Sequence, residues 1–164
     1  MAITTEQFVS GMQRLAAAVT VVATEVDGLR SGLTASAVTS LTAEPPTLLV
    51  CVNRDAGSHR RLLAAGRFSV NVLARDQQEV AETFAGFTGA EGPGRFEVGS
   101  WRTGDLGLPV LDGALVAFEC TVDEVVARSS HDVLIGAIEA LHLHDTPVDP
   151  LLYLDRSFGG FDDG

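Results

Sequence analysis

Between Leu115 and Leu143 the chain carries two long strand-like runs separated by Arg128-Ser129-Ser130-His131-Asp132. In the first run, Leu115 to Val126, the residues Val116, Phe118, Cys120 and Val122 fall on one face and Glu119, Thr121 and Asp123 on the other. This period of two is that of a strand with one solvated face. Val133 to Leu143 reads as its antiparallel neighbour, because two strands joined by so short a turn can only pair head to tail. Any fold for this chain has to be built around that hairpin.

The remaining elements extend the same sheet. Thr4-Thr5-Glu6-Gln7 has the form of a capping box opening a helix with Phe8, Met12, Leu15 and Ala16 on its apolar face. Ala18 to Thr24 is a β-branched strand, Asp27-Gly28 a two-residue hairpin turn, and Leu33 to Val38 the returning strand, with Pro45-Pro46 ending the unit. Thr47 to Val52 reads as a buried strand, Ser58 to Ala65 as a short helix closed by Gly66, Phe68 to Leu73 as a strand and Gln77 to Phe84 as a helix. The Gly- and Pro-rich stretch from Gly86 to Gly113 reads as loop with short strands, Pro150 to Leu154 as a last strand, and Asp155 to Gly164 as a mobile end or an arm reaching a partner chain. Six or seven strands, three short helices and no regular βαβ alternation predict a mainly β fold, largely antiparallel and Greek-key-like, closed or nearly closed into a barrel with a few peripheral short helices. With 164 residues, 46% of them hydrophobic, residues 1–164 are expected to form a single domain.

Charge narrows the partners. Acidic residues outnumber basic ones 22 to 11, a formal charge of -11, which argues against a grip on nucleic acid or anionic lipid. No apolar run approaches the roughly 20 residues that span a bilayer, and the first residues lack the pattern of a signal peptide, so a cytoplasmic protein is expected. All 11 basic residues are Arg. Without Lys there is no GxxxxGK[ST] phosphate loop, no lysine Schiff base and no Ser-Lys dyad. GxGxxG, GxSxG, CxxC and HExxH are also absent. Cys51 and Cys120 lie in apolar runs and read as buried structural thiols.

Three segments offer chemistry. Thr34-Ala35-Ser36 with Thr39 and Ser40 sets short hydroxyls and bare backbone beside a buried strand, a surface that suits a flat, phosphate-bearing ligand such as a flavin; it also fits an ordinary Thr/Ser-rich strand end. Asn53-Arg54 followed by Gly57-Ser58-His59-Arg60-Arg61 places amide, hydroxyl and guanidinium donors at the start of a helix, as a phosphate seat or as a simply capped helix. His131 at the hairpin turn projects from the barrel rim, either toward a ligand or into solvent. His142 and His144 share a strand face with Asp145 nearby, and a solvated face explains them better than a metal.

Read together, these segments resemble the short-chain flavin reductase family, small NAD(P)H:flavin oxidoreductases with the FMN-binding split-barrel fold that supply reduced flavin to two-component monooxygenases. The resemblance runs from about Phe8 to Phe158. It rests on Gly11 with Ala18 to Thr24, Gly32 to Ser40 with Pro45-Pro46, Leu49 to Arg54, and Phe68 to Leu73. It continues through Gln77, Phe84-Ala85, Arg95-Phe96, Gly107 to Leu111, Glu119-Cys120, and His131 with Ile135-Gly136. It implies a homodimer with a flavin at each subunit junction, FMN or alternatively FAD, and NADH or NADPH as co-substrate. Thr34, Ala35, Ser36, Thr39 and Ser40 match positions that contact the ring and ribityl chain, and Cys51, Val52 and Asn53 positions lying along the flavin. Ser58 and His59 match positions near the phosphate, and Phe84, Ala85 and Arg95 positions near the same pocket. His131 matches the histidine of the family's Gly-Asp-His motif at the nicotinamide site, with Ser129-Ser130 here in place of Gly-Asp, and Phe158 matches a C-terminal aromatic flanking that site.

The function so implied is hydride transfer from NADH or NADPH to an oxidised flavin, with His131 orienting the nicotinamide and the reduced flavin passing to a flavin-dependent monooxygenase component. The alternative is a non-catalytic carrier or sensor that retains its FMN. The sister oxidases acting on a pyridoxal-like substrate generally use a Lys and Arg phosphate site, and this chain has no Lys.

Overall fold

The computed structural model describes residues 2–161. Along the chain run α1 (Thr5–Met12), β1 (Ala17–Ala18), β2 (Thr20–Val26), β3 (Leu29–Ala35), β4 (Val38–Ala43) and β5 (Pro46–Asn53). They are followed by α2 (His59–Ala65), β6 (Arg67–Val72), α3 (Gln78–Phe84), β7 (Trp101–Thr103) and β8 (Pro109–Leu111). The chain closes with β9 (Val116–Arg128), β10 (His131–Leu143), β11 (Leu152–Leu154) and β12 (Ser157–Gly159).

Seven strands form one sheet in the order β3-β2-β6-β9-β10-β5-β4, every pairing antiparallel. Its two edge strands, β3 and β4, are consecutive in the chain and joined only by Ser36 and Ala37. A connection that short brings opposite edges together only if the sheet rolls up, which makes this a split barrel with its seam at Ser36-Ala37. The β9–β10 hairpin at the middle of the sheet is the one expected from its alternation.

Both faces of the central strands are buried. On β2, Val22 packs inside the barrel with Val50, Val52, Leu62, Phe68, Val70 and Leu134. Its neighbours Val21 and Ala23 pack outside with Leu73, Val80, Phe84 and Leu151 under α3. This double burial explains why Ala18 to Thr24 is continuously apolar instead of alternating. The polar side chains inside are satisfied: Asn71 donates to the Val21 carbonyl at 3.2 Å and accepts from the Leu111 N–H at 2.8 Å.

Four expectations need correction. The returning strand begins at Leu29, not Leu33, because Asp27 (φ 52°) and Gly28 (φ 76°) make a two-residue turn that pairs Val26 with Leu29 directly. The hydroxyl-rich segment is therefore split, with Thr39 and Ser40 on the exposed edge strand β4. Glu119 is fully buried, not on a solvated face, although Thr121 and Asp123 are exposed as expected. Residues 155–159 do not trail away: Asp155 (φ 49°) and Arg156 (φ 63°) turn the chain back, β12 pairs with β11, and the Tyr153 and Phe158 rings pack tilted at 59° with 5.1 Å between centroids. Residues 162–164 of the expected arm lie outside the described residues.

The capping box on α1 is formed, with Thr4 Oγ1 accepting from the Gln7 N–H at 3.2 Å and Gln7 Oε1 from the Thr4 N–H at 2.9 Å. Yet α1 buries none of its residues; Phe8, Val9 and Met12, with Leu15 just beyond, are exposed. No helix of the described residues is long and apolar enough to cross a membrane.

Candidate functional site

The barrel seam opens onto a cavity of about 520 Å³. β3 contributes Leu33, Thr34 and Ala35, the seam Ser36 and Ala37, and β5 Cys51 and Asn53. Asp55, Ala56, Gly57 and Ser58 close one end, Phe84, Ala85 and Arg95 another, and His131 stands at the rim. Its volume is that of a small-molecule site. Ala35, Ala37, Ala56, Gly57 and Ala85 keep its walls low and flat, while polar donors gather at the end nearest α2.

Those donors are fixed by local geometry. The Asn53 side chain accepts from the Asp55 N–H at 2.9 Å through Oδ1, which leaves its NH₂ as a donor. Ser58 Oγ donates to the Gly32 carbonyl at 2.6 Å, tying the segment before α2 to β3. Among the described residues the backbone N–H groups of Gly57 and Ser58 donate to no protein acceptor. Arg95 is held by the carbonyls of Ala90 (Nε, 3.0 Å), Gly32 and Phe84 (Nη1, both 3.2 Å), and no described carboxylate lies within ion-pair distance of it. A guanidinium fixed by carbonyls and left without a counter-charge at a cavity wall is suited to an anionic ligand. Phe84 behind it packs edge-on against Phe96 at 4.9 Å, and both touch Trp101.

Several residues singled out in the sequence lie elsewhere. Val52 points into the barrel core, since alternation on β5 sends Cys51 and Asn53 to the cavity and Val52 away from it. The His59 ring is turned from the cavity: Nε2 lies 2.7 Å from Asp132 Oδ2 and the residue is buried. Thr34 is on the wall, but its hydroxyl donates to the Ala81 carbonyl at 2.7 Å, so Ser36 is the free hydroxyl of that motif. Thr39 lines a neighbouring apolar cavity, and Ser40 lines neither.

His131 sits on the wall as expected from its place at the turn. Its Nδ1 is 2.9 Å from Ser130 Oγ, the residue standing where the family motif has Asp, and Nε2 is left for a ligand. Phe158 lines a smaller cavity of about 120 Å³ with Tyr153, Phe87 and Val19. That cavity shares Thr34, Ser36 and Ala85 with the larger one, so the aromatic pair and the donor-bearing site meet along one wall. Sequence reasoning missed Tyr153; its signal was the alternation of Leu152–Leu154, which puts the single tyrosine of the chain opposite its strand neighbours.

A third cavity, about 690 Å³ and mostly apolar, lies between the exposed face of α1 (Phe8, Val9, Met12), Leu15 and the seam, and shares Ser36, Ala37 and Cys51 with the donor-bearing site. Cys51 makes no hydrogen bond to an imidazole among the described residues, so the wall holds no thiol–imidazole nucleophile. The second thiol, Cys120, is pushed up to about 12 by burial and then by the charges of Glu119 and Glu139, and is inert. The site therefore binds and orients; its donor end, flat walls and adjacent aromatics fit a flavin, which brings its own redox chemistry.

Residues 12–162 match the family model described as the flavin reductase like domain. The chain is 42% identical over 156 residues to the FMN reductase (NADH) RutF of Stutzerimonas stutzeri strain A1501, covering 94% of this chain and 87% of the relative. Among solved structures it is similar to BorF, the flavin reductase component of a bacterial two-component tryptophan halogenase (TM-score 0.88, 34% identity, 98% and 100% covered). It is also similar to the Streptomyces globisporus C-1027 NADH:FAD oxidoreductase SgcE6 in complex with NAD and FAD fragments (TM-score 0.88, 26% identity, 99% and 98% covered). With this match over most of its length and this identity to a relative, the chain belongs to the flavin reductase like family.

Proposed function

We propose that this protein is an NADH-dependent flavin reductase that takes FMN, or alternatively FAD, and hands reduced flavin to a monooxygenase component. The observation that carries the reading is the junction of two cavities through Thr34, Ser36 and Ala85, one with anion donors and one with an aromatic pair. When bound, flavin and nicotinamide supply the redox chemistry between them, a hydride passing from nicotinamide C4 to flavin N5. The protein's part is to hold the two rings in register and keep water out. Ser36 and the backbone of Ala35 to Ala37 bind the ring. Asn53, the N–H groups of Gly57 and Ser58, and Arg95 bind the phosphate end. His131, steadied by Ser130, orients the nicotinamide through Nε2, with Phe158 and Tyr153 beside it.

The same reading includes a homodimer. The uncovered apolar face of α1 and the 690 Å³ cavity that shares Ser36, Ala37 and Cys51 with the flavin site would be closed by a second copy, completing the pocket. Two free thiols and the use of NADH suit the cytoplasm.

Dialysis of the protein loaded with FMN, followed by sedimentation, tests this. Loss of flavin from a dimer is expected. Flavin that survives prolonged dialysis, with no consumption of NADH, would identify a carrier instead.

A further inference from the structure

Arg54, His59 and Asp132 meet directly behind the donor end of the cavity. Asp132 Oδ1 accepts from Arg54 Nε at 2.9 Å and Nη2 at 2.7 Å, and its Oδ2 lies 2.7 Å from His59 Nε2. The Asp132 side chain is 7% exposed and that of His59 11%, whereas Arg54 keeps 41% of its surface in water. The Arg54 N–H also donates to the Ser130 carbonyl at 2.9 Å. Three elements are joined at this one carboxylate: the chain leaving β5, the start of α2 and the start of β10.

Each member of the cluster is the chain neighbour of a residue on the cavity wall. Asn53 precedes Arg54, Ser58 precedes His59, and His131 precedes Asp132. His131 and Asn53 are also direct partners across the β5–β10 ladder. On β10 the neighbours His131 and Asp132 point to opposite faces, His131 to the cavity and Asp132 to the cluster, and Arg54, the first residue past β5, meets Asp132 there. A carboxylate with both oxygens engaged by a two-pronged guanidinium and an imidazole has no freedom to rotate. The wall donors inherit that fixity through a single peptide bond.

We infer that Arg54, Asp132 and His59 form a positioning unit that sets the spacing of Asn53 and the Gly57 and Ser58 N–H groups for the flavin phosphate, and so makes the site prefer phosphorylated flavin over riboflavin. The inference rests on the reductase reading above. None of the three touches the ligand; they act through the neighbours they hold.

The test is steady-state NADH oxidation by the full-length protein with FMN and with riboflavin as the flavin probes, alongside a thermal melt. Asp132→Asn is expected to raise KM for FMN about five- to tenfold, the equivalent of one lost hydrogen bond. Its KM for riboflavin and its kcat with either flavin should move less than about twofold. Asp132→Glu, which keeps the charge, should recover most of the FMN preference. Should Asp132→Asn fail to fold, Arg54→Gln, at a half-exposed position, reads the same quantity. Equal rises in both KM values would mark a merely structural role and overturn the inference, as would an unchanged KM for FMN. A wild-type protein that reduces neither flavin would overturn the reductase reading and this inference together; an active wild type whose variants keep the FMN preference overturns this inference alone.

Discussion

His142 Nε2 lies 2.7 Å from Oε1 of Glu119, a carboxylate with no exposure to solvent. A bulge between Ile138 and Ala140 moves the β10 register by one, so that His142 shares the face of Glu119 instead of that of Cys120. The same carboxylate accepts from the N–H groups of Asp105 and Leu106, pinning the loop between β7 and β8.

Burial pushes the Glu119 carboxyl up, but the His142 hydrogen bond and the Leu106 and Asp105 amides outweigh it and hold it below the usual carboxylate range. A group depressed in the folded state adds stability that is complete above its unfolded pKa and lost as pH falls through the folded value. Asp132, lowered by the hydrogen bonds of Arg54 and then His59, acts with the same sign. Urea unfolding followed from neutral pH into the acid range should show stability falling below the ordinary carboxylate range. Glu119→Gln should cost about 2 kcal/mol at neutral pH and flatten that acid decline.

Gly32 lies beneath the donor-bearing cavity, its carbonyl accepting from Ser58 Oγ and Arg95 Nη1 on the wall. A Cβ there would stand 2.9 Å from Phe84 Cε1 and 3.0 Å from the Val22 carbonyl oxygen, and the carbonyl belongs to a central strand that cannot retreat. Gly32→Ala should destabilise by about 1–3 kcal/mol and weaken flavin binding as Phe84 is displaced. Thermal melts and a flavin fluorescence titration read the two effects.

Arg95→Met removes the guanidinium on the wall of the donor-bearing cavity and the three carbonyl contacts that orient it. FMN affinity is expected to fall at least about tenfold, with a smaller loss for Arg95→Lys, which keeps the charge and not the fork. Salt should weaken wild-type binding more than that of Arg95→Met.

The fold was legible where periodicity is strict. The β9–β10 hairpin, the α1 capping box and the Asp27-Gly28 turn all follow from residue pattern. The pattern failed where tertiary context reverses a face: Glu119 reads as solvated because a bulge and a loop amide pair, neither visible in alternation, give it partners inside. At the site, Ser36 and Asn53 were legible because short polar residues beside small ones stand out, whereas Arg95, in a loop without a period, was named only through the family resemblance. His59 was misplaced because its partner Asp132 is distant in sequence, and nothing local shows which way a helix-start imidazole turns.

The two hydroxyls of the seam motif have separate roles. Thr34→Val should cost about 1 kcal/mol of stability through the lost bond to Ala81 and leave FMN affinity nearly unchanged. Ser36→Ala should do the reverse. The two variants, measured by melt and by titration, check the assignment of the free hydroxyl.

NADH oxidation by the purified protein, followed with and without added FMN, decides whether this site supports a reductase. Slow oxidation alone and rapid, saturable oxidation when FMN is supplied are expected. A protein that binds FMN yet leaves NADH intact at every flavin concentration would contradict the reductase reading.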